Sequence, residues 1–469
     1  MSAKNFGRRV TRTFGVGINC HNFTLQRKKE GYTKLGMRLK IKRSNKAGNM
    51  HKERKGIAIF VSFLMLTGFS TATFAQGPMA EESAQGQKQK KVAHGKKPKN
   101  FAQGKKPKNP ARGPKAKNFR AGAVYVLTNQ VNNQVAAFRR TSKGILSFAG
   151  MFPTGGAGNP TPQPPDPATD PLASQGALII GPGNRFLFAV NAGSNQISVL
   201  KINKNDLTVV DLVNSGGIRP ISLTLHDDLL YVLNEGGTPN ITGFDVDEDG
   251  TLTPLPGSTR PLIGGAAADP AQVGFSSDGS LLVVTEKAGN RINTYTIDDD
   301  GLPSAPIDNA SNGTTPFGFA FNNAGTLVVS EAFGGAPNAS AASSYNAPDS
   351  GILSVISGSV PNSQTASCWV VIPNNGKFAF VSNTGSGTIS SYQIGTAVEA
   401  VTLVNSVAGS TGMNSAPIDM TLSNNSQYLF VIAAGSQSIV SFRVNQIGTL
   451  TMVDAAGGLP LGAQGIAAK

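Results

Sequence analysis

Cysteine is almost missing from this chain of 469 residues: Cys20 and Cys368 are the two, so no disulfide framework can hold its fold. Histidine is as scarce, four in all, with His226 alone beyond residue 120. A zinc or copper site built from His and Cys is therefore excluded, and a Ser–His–acid triad has one candidate base. His226 reads as an ordinary turn residue. No G-x-S-x-G elbow occurs, and the Gly-rich TGGAGN at Thr154 opens no helix that could cradle a phosphate. DVDEDG at Asp245–Gly250 begins like a calcium loop, but Pro256 stands where a bidentate Glu would be needed, so it reads as a hairpin turn like IDDDG at Ile297–Gly301. No metal and no cofactor is expected.

Long apolar runs are missing too. The longest is the 13-residue core Ile57–Phe69, short of the roughly 20 residues of a membrane span. It follows a charged stretch beginning at Met50 and precedes small residues at Ala72 and Ala75, the pattern of a secretory signal peptide over 50–75. Cleavage near Ala72 or Ala75 would place the remainder outside the cytoplasm, secreted or periplasmic. Because such peptides start close to their apolar core, translation is expected to begin at Met50 or Met37, with 1–49 a basic extension. No cysteine follows the core, which excludes a lipoprotein anchor.

Acidic residues are missing from the first quarter. Residues 1–80 carry 16 Lys/Arg against 2 acids and residues 81–120 carry 13 against 2, whereas 121–469 carries 13 against 23. The formal charge of +15 thus hides an acidic C-terminal region on which no basic groove for nucleic acid is expected. Residues 76–120, with GKKPKN twice and little apolar content, cannot offset their ordering entropy and are expected to be a disordered linker. Its charge over 81–120 suits a tether to an anionic surface polymer.

What the sequence has in abundance is one repeated grammar. Asn184 to Val213, NRFLFAVNAGSNQISVLKINKNDLTVVDLV, holds three alternating apolar runs separated by turn-forming Gly, Asn, Ser, Lys and Asp, and Ala177–Ile180 adds a fourth. The residue closing the second strand recurs as Asn129, Asn191, Asn234, Glu286, Glu331, Asn383 and Ala433, at steps of 62, 43, 52, 45, 52 and 50. Steps near 50 are the spacing of propeller blades. A lone four-stranded sheet cannot bury both faces, so the expected fold is all-β, a seven-bladed β-propeller over 121–469. The first unit lacks an innermost strand, and the C-terminal GAQGIAA, nearly the letters of ASQGALI in the second, is predicted to close the ring. A Pro-rich insert, Pro153–Pro171, and a Gly/Ala/Ser-rich excursion, Phe333–Asp349, are both expected on the face of the ring position, and long loops on rigid scaffolds often carry function.

Two ring positions break the asparagine pattern. Glu286 and Glu331, in adjacent blades about 10 Å apart, suit a shared substrate better than a shared proton. Arg219, Gln272, Trp369 and Asp419 fall near aligned positions of the innermost strands, and Arg291 opens the third strand after Glu286. With Asn234 these residues frame a channel mouth suited to a polar, oxygen-rich ligand. The blander reading has both glutamates paired with Arg291, Lys287 or backbone amides to hold loops.

Repeats such as GKFAFVSNTGSGTISSYQI and DLLYVLNEGGTPNITGFDVDEDGTLTPL resemble the lactonase-like seven-bladed propellers, which include propeller-type 6-phosphogluconolactonases and carboxymuconate cyclases. The resemblance implies His, Arg and Glu at the channel mouth, and Ser174-Gln175-Gly176 stands where the His is implied. It points to a monomer that binds a small carbohydrate or lactone and hydrolyses or forms lactones. In that chemistry Glu286 or Glu331 would be general base, and Arg219 or Arg291 would stabilise the oxyanion. The alternative is a non-catalytic scaffold anchored by its basic tail.

Overall fold

The computed structural model describes residues 122–469 apart from 163–165 and 397. The signal peptide, the extension and the linker read from sequence lie outside the described residues.

Seven antiparallel sheets follow one another around an axis. In blade 2 the strands run outward in order: Leu178–Ile180, Phe186–Asn191, Gln196–Ile202 and Leu207–Asn214. Blades 3 to 7 repeat this, starting at Ile218, Pro270, Pro316, Ser367 and Pro417. Blade 1 takes its innermost strand from the C-terminus: Ile466–Ala468 pairs with Ala123–Leu127, in the register Val124↔Ala468 and Val126↔Ile466. Ring closure by GAQGIAA is therefore as expected. Blade 3 departs from four plain strands, because its outer strand is split into Leu252–Pro254 and Arg260–Pro261, both paired with Asn240–Val246.

The second strand of each blade is apolar along its length because it is buried on both faces; FLFAVN, TLVVSE and YLFVIA have no exposed residue. Outer strands are open to solvent, as in Leu207–Asn214, where Leu207 is buried and Thr208, Val209 and Val210 are exposed. One row of side chains binds blade to blade: Phe138, Leu200, Phe244, Tyr295, Tyr345, Tyr392 and Phe442. They stand at one register position of the third strands, each at most 1% exposed. Bulky rings fill the wedge that opens between radiating sheets.

The second strands end on one face, here the ring face, and the turns joining first to second strands lie on the other, the turn face. Four innermost strands place a proline opposite the ring position: Pro220↔Asn234, Pro270↔Glu286, Pro316↔Glu331 and Pro417↔Ala433. Pro270, Pro316 and Pro417 open their strands, where the missing N–H is tolerated, and Pro220 is the third residue of its strand, just before a register shift.

Two details of the repeat differ from the sequence reading. Leu127 pairs with Val135 as Val190 pairs with Ile197, but the first connection is one residue longer, so Thr128 takes the ring position rather than Asn129. The stretch Phe333–Asp349 is not all excursion, since Ala341–Asn346 within it is the third strand of blade 5. Its letters, AASSYN, carry little β-branched signal.

Candidate functional site

The ring-position side chains face the connections that enter their own blades. Asn234 Nδ2 donates to Ser215 O at 3.1 Å. Asn383 Oδ1 accepts from Asn362 Nδ2 and Ser367 Oγ, at 3.1 and 2.6 Å. Asn191 Oδ1 accepts from Thr154 Oγ1 at 2.8 Å. Glu286 and Glu331 do the same work as carboxylates. Glu286 accepts from the Gly264 amide at 3.0 Å and from Asn293 Nδ2. Glu331 accepts from the Gly313 amide at 2.8 Å, from Ser359 Oγ at 2.7 Å and from Ser343 Oγ. Both are fully buried, and burial raises both carboxyls above the usual range while these donors pull them back. Arg291 lies on the rim, half-exposed and bonded to Asp308, whose hydrogen bond and charge raise its pKa.

The Pro-rich insert folds back over the ring face. Asn129 holds its start, accepting from the Asn159 amide and donating to the Asn159 carbonyl, both at 2.9 Å. Its end, Asp170–Ser174, is buried and plugs the axis. Arg219 Nη2 donates to Pro171 O, Lys287 Nζ to Ala173 O at 3.0 Å, and Trp369 Nε1 to Ser174 O at 3.0 Å. Gln464, just before the closing strand, accepts from the Leu172 amide and donates to Asp170 Oδ1 at 2.6 Å. Gln175 completes the plug: its side chain accepts from Val370 N at 3.1 Å and donates to Val370 O at 2.9 Å, while its backbone bonds Ala271 and Ser222. Burial raises the Asp170 carboxyl to about 7, against the opposing pull of Lys287.

Two cavities flank the plug. On the ring face a cleft of about 790 Å³ is lined by Asp166, Arg219, Glu235 and Asp269 with Asn159 and Asn195. Arg219 is 5% exposed; its Nε donates to Glu235, and its Nη1 has no partner. Asp269 bonds Lys287 Nζ at 3.0 Å. Burial lifts Asp166 to about 6, the Lys287 charge opposing it. Below the plug the axial channel forms a cavity of about 390 Å³, with Gln175, Gln272 and Asp419 at its base and Leu225, Phe275 and Phe321 towards the turn face. Gln272 spans to blade 5, accepting from Phe319 N at 2.7 Å and donating to Phe319 O at 3.1 Å. Asp419 Oδ2 has no partner, and burial raises this carboxyl to about 8.

The eight residues singled out from sequence are thus dispersed. Arg219 lines the ring-face cleft, Gln272 and Asp419 lie in the channel, and Trp369 is packed under the plug against Phe317 at 4.9 Å. Asn234, Glu286 and Glu331 hold loops, and Arg291 sits apart on the rim. His226 ends the first strand of blade 3 on the turn face, 3.7 Å from Asp227. Sequence reasoning missed Glu235 and weighed Lys287 only as a partner for the ring-position glutamates; each directly follows a ring position, where blades 2, 5, 6 and 7 carry Ala192, Ala332, Thr384 and Ala434 and blade 1 carries Asn129. It also missed Asp166 and Asp170, although both stand in the insert marked as functional.

A family model described as lactonase, 7-bladed beta-propeller, matches residues 103–260 and 343–461. The chain belongs to the lactonase family. Residues 261–342, between the matched spans, hold Asp269, Gln272, Glu286, Lys287, Arg291 and Glu331, so the family match itself assigns these no role. Among solved structures, this lactonase-family chain is similar to a candidate 6-phosphogluconolactonase from Bacteroides uniformis: TM-score 0.55 at 17% identity over 73% of this chain and 98% of that one. It is also similar to the periplasmic gluconolactonase of Pseudomonas aeruginosa, with TM-score 0.56 at 14% identity over 74% and 98%. Identities this low carry the fold alone. No curated protein matches the chain.

Proposed function

We propose that this lactonase-family propeller binds a small oxygen-rich ligand, a sugar lactone or related carbohydrate, in the ring-face cleft beside the plug. The observation that carries the reading is Arg219: a buried guanidinium with one N–H set unpartnered, beside a polar cleft whose wall supplies Asp166, Glu235 and Asp269. An unpaired buried donor is costly, and a ligand carbonyl or carboxylate would satisfy it. For hydrolysis, Asp166, its carboxyl near 6 being suited to a general base, takes the proton of the water that attacks the lactone carbonyl and Arg219 Nη1 receives the developing oxyanion; as the intermediate collapses the ring C–O bond breaks and Asp166 returns the proton to the departing hydroxyl oxygen. Glu286 and Glu331 act in this reading as positioning residues, through the loops they hold. The sequence from Met50 to Ala75 supports export, and the protein is read as a monomer.

The test is turnover of a panel of aldonolactones by the wild type, Asp166→Asn and Arg219→Lys. The expected result is hydrolysis of at least one lactone that falls roughly a hundredfold or more in Asp166→Asn. Unchanged turnover in both variants would remove this site. The second reading, a non-catalytic scaffold, is favoured by the use of both ring-position glutamates as loop holders, and a wild type that binds but turns over no lactone would establish it.

A further inference from the structure

Below the plug the axial channel is a blind pocket. Asp170–Ser174 closes its ring-face end, and the innermost strands pass from buried to half-buried residues towards the turn face, as in Ile218–His226, Pro316–Phe321 and Pro417–Leu422. The cavity of about 390 Å³ is therefore reached from the turn face, past Ile180, Leu225, Phe275 and Phe321. Its deep end is polar, with Gln175, Gln272 and Asp419. Asp419 is the one acidic lining residue, and no Lys, Arg or His lines the cavity with it. His226 stands behind the Phe275 ring, 5.8 Å between centroids, and outside the lining.

Other polar side chains of the innermost strands tie one blade to the next. Ser222 Oγ accepts from the Val273 amide and Thr224 Oγ1 from the Phe275 amide, both at 3.2 Å, and Gln272 takes both main-chain groups of Phe319. Asp419 departs from this pattern. It is 2% exposed; Oδ1 accepts from the adjacent Met420 amide at 2.9 Å, and Oδ2 has no hydrogen-bond partner. The register of its strand skips from Ile418 to Met420, so Asp419 is a bulged residue, and bulges re-aim side chains. Burial pushes the carboxyl up to about 8, the Met420 amide opposing, the Asp170 charge adding to the rise, and the Ile466 and Gly465 amides opposing more weakly. A buried carboxylate without a countercharge is costly, so the empty pocket keeps the proton on it.

We propose that this blind channel binds a small primary amine with an apolar tail, its ammonium donating to Asp419 Oδ2 and its tail lying among Leu225, Phe275 and Phe321. Charge selects the head. An ammonium supplies the missing countercharge, its arrival releasing the Asp419 proton to solvent, whereas a hydroxyl supplies none and an anion is repelled. The walls select the tail, because the half-buried aromatic and branched side chains at the mouth gain from covering. A metal ion fits less well: Asp419 is the single carboxylate of the lining, and the described residues hold no group of three His, Cys, Asp or Glu able to ligate one. The plug separates this pocket from the ring-face cleft, so the proposal stands apart from lactone binding there.

The test is calorimetric titration of the full chain with 2-phenylethylamine, with 2-phenylethanol and phenylacetate as neutral and anionic counterparts, repeated on Asp419→Asn and Leu225→Trp. Asn keeps the shape of Asp419 and an acceptor for the Met420 amide, and Trp at 225 fills the mouth without touching the carboxylate. The wild type should bind the amine roughly tenfold or more tighter than the alcohol, the scale of one charge-assisted hydrogen bond, and phenylacetate not at all. Asp419→Asn should lose that preference, and Leu225→Trp should bind neither amine nor alcohol while its lactone turnover matches the wild type. Absence of amine binding to the wild type, equal affinity for amine and alcohol, or undiminished amine binding by Asp419→Asn would overturn the proposal. If Asp419→Asn does not fold, the amine–alcohol comparison and Leu225→Trp decide: amine binding that survives in Leu225→Trp places the ligand elsewhere and overturns it.

Discussion

Replacing Glu331 by Ala tests whether the ring-position carboxylates serve structure or chemistry. Its carboxylate, fully buried, takes the Gly313 amide and the hydroxyls of Ser343 and Ser359. The hydroxyl O–H groups can rotate away to another acceptor, while their oxygens keep the bonds they accept, Ser359 Oγ from Asn312 Nδ2 at 3.0 Å and Ser343 Oγ from the Ser359 amide at 2.8 Å. The Gly313 N–H cannot. Hydrogen bonds to a charged group contribute about 1.5–3 kcal/mol and an orphaned buried donor costs about 1–3 kcal/mol, less the cost of burying the charge, so the loss should be about 2–4 kcal/mol. Glu331→Gln keeps one acceptor and should lose about half of that. Urea unfolding followed by tyrosine and tryptophan fluorescence reads this directly, as a lower midpoint at constant slope. Blade 7 shows how the position tolerates alanine: beside Ala433 the entering loop ties itself, Thr411 Oγ1 to Ser415 Oγ at 2.7 Å and Ser415 Oγ to Gly412 O at 2.6 Å. If Glu331→Ala unfolds at the wild-type midpoint yet abolishes lactone turnover, the loop-holding account of this residue is wrong.

Removing the last ten or so residues takes away the innermost strand of blade 1 and the Gln464 bonds to the plug, so the truncated chain should lose its cooperative unfolding transition by circular dichroism; a wild-type melt would show that the ring does not depend on this closure. Asp170 gives a pH signature. Its folded carboxyl near 7 lies above the unfolded value of about 3.9, so the folded state holds an extra proton between these limits and stability falls as pH rises through them. The full effect is of the order of 4 kcal/mol, and Asp170→Asn should flatten that share of the slope; an unchanged pH profile would refute the assignment.

The repeat was legible because each blade is local in sequence: strand runs, turn residues and the ring position all fall within about 50 residues. The row from Phe138 to Phe442 was equally open to reading, four residues past the partner of each ring position, and could have fixed the register that the one-residue insertion at Thr128 displaced. The plug was not legible. Trp369 meets Ser174 across 195 positions and Gln464 meets Asp170 across 294, so only ring closure brings them together.

Gln175 lies within Ser174-Gln175-Gly176, the stretch where the family resemblance implies a histidine, and its surroundings explain why glutamine suits the position. One side-chain amide both accepts from Val370 N and donates to Val370 O, a pairing that an imidazole cannot make with a single strand. Across the axis, Gly318 leaves the room: a Cβ there would lie 2.3 Å from Gln175 Oε1. With its backbone bound to Ala271 and Ser222, the same residue joins blades 3, 4 and 6 to blade 2. A position implied to hold a base at the channel mouth is instead a strut that closes the channel. Chemistry at the axis would then have to pass Asp170–Ser174, held by Arg219, Lys287, Trp369 and Gln464. The ring-face cleft needs no such opening, because Arg219 serves both structures at once: Nη2 fastens the plug, and Nη1 is left over for whatever enters beside it.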